Sequence, residues 1–331
     1  MQSGGAFSAS RPLTRLPGDI DTPRLSSSPL SSEVRYNEQM SPRGFVTIAA
    51  VQSKALRDPD ANLRNAERLT RMAARKGAQI ICLPELYRTV YFPQQRKADV
   101  RGLAEPIPGE STRVFSKLAK ELGTVLIVPV FERAGNGSER EKNARFYNSA
   151  AVIDERGRLL PTYRKLHLPQ DPLFYEQNYF SHGNRGYRVF KTKFATFAVL
   201  ICYDQWFPEA ARMATLRGAE IIFYPTAIAN VVGYRSPDGD WHDAWETVMR
   251  GHSIANGVHV VAVNRVGRED RLRFWGQSFA CDSFGKILQR AGAAKEEVLV
   301  AKLDLSHNRR IREGWGFLRN RRPDTYREER S

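Results

Sequence analysis

Nine short apolar runs, at 45–51, 79–83, 124–131, 147–153, 194–202, 220–224, 258–264, 276–281 and 297–303, alternate along this chain with helical stretches. The helical stretches fall at 62–76, 112–122, 208–217 and 241–255. Apolar runs of this length bounded by turn residues predict strands, and the alternation predicts an α/β chain whose helices cover the sheet faces. A chain of 331 residues with 41% hydrophobic content can bury one large core. No Pro/Gly/Ser-rich break interrupts it between residues 46 and 305. One domain is therefore expected over 44–326, with short tails at 1–43 and 327–331. The pattern does not say whether the strands form one sheet or two.

The amino-terminal tail differs in character. Ser26-Ser27-Ser28-Pro29-Leu30-Ser31-Ser32 sits among scattered Arg and Pro with no apolar periodicity, the composition of a disordered segment. Its Arg and Ser content would suit a cleaved targeting segment, but Asp19, Asp21, Glu33 and Glu38 count against that. A natural start at Met40, just before the first strand, is the simpler reading, with the tail dispensable for catalysis. No apolar stretch has signal-peptide or membrane length.

The run 194–201, interrupted only by Thr196, delivers Cys202 to the carboxyl end of a buried strand. Pro208 then opens a helix with Glu209 in its first turn. A cysteine at such an elbow is lifted from the core and set beside backbone N–H groups able to stabilise a thiolate or an oxyanion. Two charged residues have equally distinctive frames. Glu85 follows Ile80-Ile81-Cys82-Leu83-Pro84, and Lys165 lies in Tyr163-Arg164-Lys165-Leu166-His167 just past a strand and a turn. Taken singly, each reads as an ordinary core cysteine, ion pair or solvated charge.

Taken together, these motifs resemble the nitrilase superfamily of carbon–nitrogen hydrolases. The likeness spans about residues 46 to 326 and rests on Leu83-Pro84-Glu85-Leu86, the Lys165 motif and Cys202-Tyr203-Asp204-Gln205-Trp206-Phe207-Pro208-Glu209. Phe223-Tyr224-Pro225-Thr226-Ala227-Ile228, Val248-Met249-Arg250-Gly251-His252, Asn264-Arg265-Val266-Gly267 and Arg321-Arg322-Pro323-Asp324 are similar to the branch that contains N-carbamoylputrescine amidase. A second family glutamate falls on Glu176, in Glu176-Gln177-Asn178-Tyr179-Phe180. The chain departs just beyond it, reading Ser181-His182-Gly183-Asn184 where the family has a Pro-Gly turn. The resemblance implies a four-layer α-β-β-α sandwich, commonly paired into homodimers or higher homo-oligomers.

The chemistry follows from the residues. An amide or carbamoyl carbon is a poor electrophile, so its hydrolysis needs a strong nucleophile, a proton shuttle and charge stabilisation. Cys202 is the candidate nucleophile, and its thiol, with an ordinary pKa of about 8.5, needs activation. Glu85 takes the thiol proton, returns it to the departing amine and later activates water. Lys165 and the Tyr203 N–H hold the developing oxyanion, where losing one donor typically costs ~2.7–4 kcal/mol. Glu176 orients Lys165 or shares in proton transfer. No histidine and no cofactor is required.

The remaining composition excludes other classes. The six histidines show no metal-ligand spacing, and His252, after the helical stretch bearing Trp241, Trp245, Val248 and Met249, reads as a hydrogen-bonded core residue. Cys82, Cys202 and Cys281 are scattered and odd in number, with no disulfide framework, which fits a reducing, cytoplasmic setting. The net charge of +15 admits nucleic-acid binding through counterion release. The basic residues are spread out, however, and the densest cluster, from Arg309 to Arg322, is interleaved with Glu313. A solvated basic face and inter-subunit ion pairs are expected instead, with neither nucleic acid nor membrane as partner.

For substrate, relatives acting on N-carbamoyl amino acids carry arginines soon after the cysteine. This chain has Gln205 and Trp206 there, as in the carbamoylputrescine branch. A substrate ending in an amine wants a carboxylate or an aromatic face, and the loop 230–243 offers Asp238, Asp240, Asp243, Tyr234 and Trp241. The expected substrate contacts are Tyr203, Asp204, Trp206, Thr226, Asp238 and Asp240. The expected reaction is hydrolysis of N-carbamoylputrescine to putrescine, carbon dioxide and ammonia. The alternatives are an ω-amidase, an N-carbamoyl amino acid hydrolase and a non-catalytic nucleic-acid-binding protein.

Overall fold

Strands covered on both faces read as continuous apolar runs, and the central strands here are of that kind. In the computed structural model, which describes residues 44–135 and 144–326, they form two six-stranded sheets. The first runs, in spatial order, Glu297–Asp304, Phe45–Gln52, Ile80–Cys82, Val125–Ala134, Arg145–Ile153 and Tyr163–Arg164. The second runs Ile287–Arg290, Phe279–Cys281, His259–Val263, Ile221–Pro225, Thr196–Val199 and Val189–Lys191. Each has three parallel strands flanked by antiparallel ones.

Period-two alternation sorts the side chains into layers. Ile48, Ala50, Ile80, Cys82, Ile127 and Val152 of the first sheet share a buried cluster with Phe197, Phe223 and Val261 of the second. Their neighbours Ala49, Val51, Ile81, Leu126 and Val128 point the other way. They meet Leu63 and Leu69 of helix α1 (Pro59–Arg75) and Phe115 and Leu118 of α2 (Glu110–Leu122). Helices α3 (Pro208–Leu216) and α4 (Trp241–Asn256) lay Ala210, Ala214, Trp245 and Met249 on the second sheet. The result is the four-layer α-β-β-α sandwich.

The helix ends follow local chemistry. The Asp58 carboxylate accepts from the Asp60 N–H ahead of α1, and Asp240 does the same for His242 at the start of α4. Pro208 occupies the first turn of α3, where its missing N–H costs nothing.

The structure adds a fifth helix, α5 (Leu305–Trp315), where the sequence reads as solvated basic residues. Its inward face is mostly polar, which hides the helical stripe. Arg312 is buried, and its guanidinium donates to the carbonyls of Asn256 and Ala219. That part of the basic cluster is structural. A small sheet of Ala229–Val231, Leu272–Trp275 and Val266–Glu269, and a hairpin of Gln170–Asp171 with Phe174–Tyr175, also go beyond the expected elements. The tails at 1–43 and 327–331 lie outside the described residues. Among those described, no helix is long and apolar enough to cross a membrane.

Candidate active site

Short strands followed at once by turns put four expected side chains together. Ile80–Cys82 leads through Pro84 to Glu85, Tyr163–Arg164 leads to Lys165, and Glu176 opens a 3₁₀ turn, Glu176–Asn178. The Lys165 Nζ lies 2.8 Å from Glu85 Oε1, and 2.8 and 2.7 Å from the two oxygens of Glu176. All three side chains are fully buried. Burial works against the lysine's charge, but the carboxylates of Glu176 and Glu85 overcome it and hold the pKa above that of an ordinary lysine. Burial pushes the Glu176 carboxyl up while Lys165 pulls it down, and burial prevails. Asn148 donates to Glu85 Oε1 at 2.7 Å, while Glu85 Oε2 is buried without a hydrogen-bond partner.

Cys202 begins the 3₁₀ turn Cys202–Trp206, earlier than a strand over 194–202 would allow, because the strand itself ends at Val199. Its φ of +43° is a left-handed conformation that costs a non-glycine residue about 1–3 kcal/mol, which the surroundings must over-determine. Several contacts do so. His252 Nε2 meets the Gln205 carbonyl at 2.7 Å, and Trp245 Nε1 donates to Gln205 Oε1 at 3.0 Å, so α4 clasps the elbow. His252 is thus the buried, hydrogen-bonded residue expected. Burial and then the charge of Glu85 raise the Cys202 thiol well above its usual range, with Lys165 and the Ala227 N–H acting in opposition. Cys82 and Cys281 are buried packing residues, both with raised pKa values through burial.

Of the expected substrate contacts, two have their polar atoms engaged by the protein itself. Asp204 is fully buried and spent on the protein: Oδ2 accepts from Tyr163 Oη (2.7 Å) and Ile201 N (2.8 Å), and Oδ1 from His167 N (3.0 Å) and Nδ1 (2.7 Å). Thr226 is also buried, its hydroxyl donating to the Tyr224 carbonyl at 3.0 Å. Both are polar residues consumed in holding turns. Tyr203 is half-buried, edge-on to Phe207, and Trp206 leans partly on the core. Asp240 lines a cavity of about 740 Å³ with Asn230, Tyr234, Arg235 and Trp241. Asp238 does not line it and pairs with Ser236 instead. None of the four buried side chains lines this cavity, which belongs to the loop beyond Ala227.

Several residues escaped the sequence reading. Asn148 carried a signal, a polar side chain inside an apolar strand. Tyr91 carried none, yet its hydroxyl donates to Glu176 Oε1 at 2.8 Å. Gly183 explains the departure after Glu176. A Cβ there would lie 2.2 Å from the Arg164 carbonyl oxygen, and its N–H donates to the Lys165 carbonyl at 2.8 Å. The loop therefore braces the Lys165 backbone by direct contact that only glycine permits.

Among the described residues, no group of three His, Cys, Asp or Glu side chains could hold a metal ion. The cluster instead brings together a cysteine, a carboxylate oxygen without a partner and a lysine held by two carboxylates, the components of acyl-transfer chemistry.

Comparison with known proteins agrees. The chain is 44% identical over 292 residues to N-carbamoylputrescine amidase of Solanum lycopersicum, covering 85% of this chain and 94% of that one. It is 37% identical over 288 residues to the citrullinase of Francisella tularensis, covering 86% and 97%. The crystal structure of a carbon-nitrogen hydrolase from Helicobacter pylori superposes with a TM-score of 0.79 at 35% identity, covering 85% and 97%. Residues 47–313 match the carbon-nitrogen hydrolase family, and with fold, cluster and relatives in agreement, the chain belongs to that family of the nitrilase superfamily and is an amidohydrolase.

Proposed function

We propose that this enzyme hydrolyses a carbamoyl-amine, N-carbamoylputrescine first among them, with Cys202 as nucleophile and Glu85 as general base and acid. The observation that carries the reading is the Lys165 ammonium held between Glu85 Oε1 and Glu176, with Glu85 Oε2 left without a partner. On substrate binding, Glu85 takes the Cys202 proton and the sulfur attacks the carbamoyl carbon. Lys165 and the Tyr203 N–H meet the oxyanion, and Glu176 fixes the ammonium for that task. Glu85 then protonates the departing amine and activates water to clear the acyl-enzyme. Residues 44–326 act as the single catalytic domain, in a cytoplasmic homo-oligomer.

The substrate assignment rests on the 43–44% identity to N-carbamoylputrescine amidases from four plants and on the cavity beyond Ala227. There the Tyr234 and Trp241 rings stand 6.0 Å apart beside Asp240, a surface suited to an alkylammonium. One observation favours a second reading. Arg235 lines the same cavity, so a carbamoyl substrate ending in an amino acid, such as citrulline, has both of its charges met. Ammonia release from N-carbamoylputrescine, citrulline, N-carbamoyl-β-alanine and glutaramate decides between them. The expected result is release from N-carbamoylputrescine, abolished in a folded Cys202→Ala protein. Preference for citrulline would support the second reading, and turnover by Cys202→Ala would refute both.

A further inference from the structure

Asn264-Arg265-Val266-Gly267 stands far from the reacting residues in sequence, yet its arginine reaches them. Arg265 is 1% exposed. One terminal nitrogen donates to the carbonyls of Glu85 (2.6 Å) and Leu86 (2.8 Å). The other donates to the Thr89 carbonyl (3.2 Å) and to Glu269 Oε1 (2.8 Å). The guanidinium carbon lies 5.2 Å from the Phe274 ring centroid. Glu269 Oε2 accepts the Tyr91 N–H at 2.5 Å, and the Tyr91 hydroxyl reaches Glu176. A continuous buried path thus joins the backbone of one glutamate to the carboxylate of the other.

The turn at Glu85 needs such a brace. Leu86 has φ +48°, a left-handed conformation that a branched side chain keeps only where its surroundings hold it. We propose that Arg265 is a positioning residue for the general base, holding the Glu85 turn in its left-handed form and, through Glu269 and Tyr91, setting it against Glu176. The proposal rests on the reading of Glu85 as the base. A planar fork is required, because two carbonyls of one turn and a carboxylate must be met at once, and a lysine ammonium in the same place cannot span them. A misplacement of a catalytic group by about 1 Å costs about 100-fold in rate.

The test is steady-state kinetics on the full chain for Arg265→Lys, Glu269→Gln and Glu85→Gln, each with a thermal melt. Arg265→Lys is expected to lower kcat by about ten- to a hundredfold with KM nearly unchanged, in protein still folded at the assay temperature. Glu269→Gln is expected to lower kcat less, in the same sense. Retention of kcat by a folded Arg265→Lys, or a loss confined to KM, would overturn the proposal. Should Arg265→Lys not fold, Glu269→Gln decides, and an unchanged kcat there would overturn it too. Glu85→Gln separates the two ideas. Its inactivity leaves the base in place whichever way Arg265 behaves, whereas its turnover removes the premise.

Discussion

Cys202 sits among two carboxylates and one ammonium, and their balance decides how the thiol works. Burial and the charge of Glu85 keep the proton on sulfur, against the pull of Lys165. In the proposed mechanism Glu85 must therefore take this proton before Cys202 can act as nucleophile. A prediction with an unusual sign follows. Glu85→Gln removes a negative neighbour, so the thiol pKa should fall, while turnover is lost with the base. Iodoacetamide alkylation of Cys202 at neutral pH should be faster in Glu85→Gln than in the wild type, its pH profile displaced to lower pH. A profile displaced upward would refute this electrostatic account.

At the scale of elements, the site is a set of turns held together by buried polar groups. Asp204 is the clearest. It receives the N–H just before Cys202 and, through Tyr163 and His167, the residues two positions to either side of Lys165. Each of its oxygens accepts from one backbone N–H, so an asparagine must turn its NH₂ against one of them. Asp204→Asn should destabilise the fold by about 1–3 kcal/mol, the cost of an unmet buried donor. A chemical-denaturation midpoint equal to that of the wild type would show that the turns do not depend on this carboxylate. The sequence marked Asp204 as conspicuous but not what it served. An acidic residue beside a catalytic cysteine looks the same on the page whether it faces substrate or backbone.

The whole molecule brings these turns together by stacking two sheets of like plan. Every residue in the proposed mechanism and its support lies between Glu85 and Phe274, and the first described strand starts at Phe45. A chain beginning at Met40 should therefore match the full chain in kcat and KM, and a loss would place part of the machinery in the amino-terminal segment. The alternation of apolar runs and helical stretches was enough to read an α/β architecture, because burial on both faces leaves a continuous apolar run in the chain itself. Glu85, Lys165 and Cys202 each follow a buried strand, but singly each reads as an ordinary residue, and only the resemblance carried by all three motifs together marked them as candidates. The roles of Tyr91, Arg265 and Glu269 were not legible, since they depend on hydrogen bonds that span as many as 180 residues. Helix α5 was hidden because its buried face is polar, satisfied by distant carbonyls. Local periodicity and the residues at strand ends are properties of the sequence by itself. Which carboxylate faces a lysine and which one caps a turn was decided only when the tertiary structure brought their donors into reach.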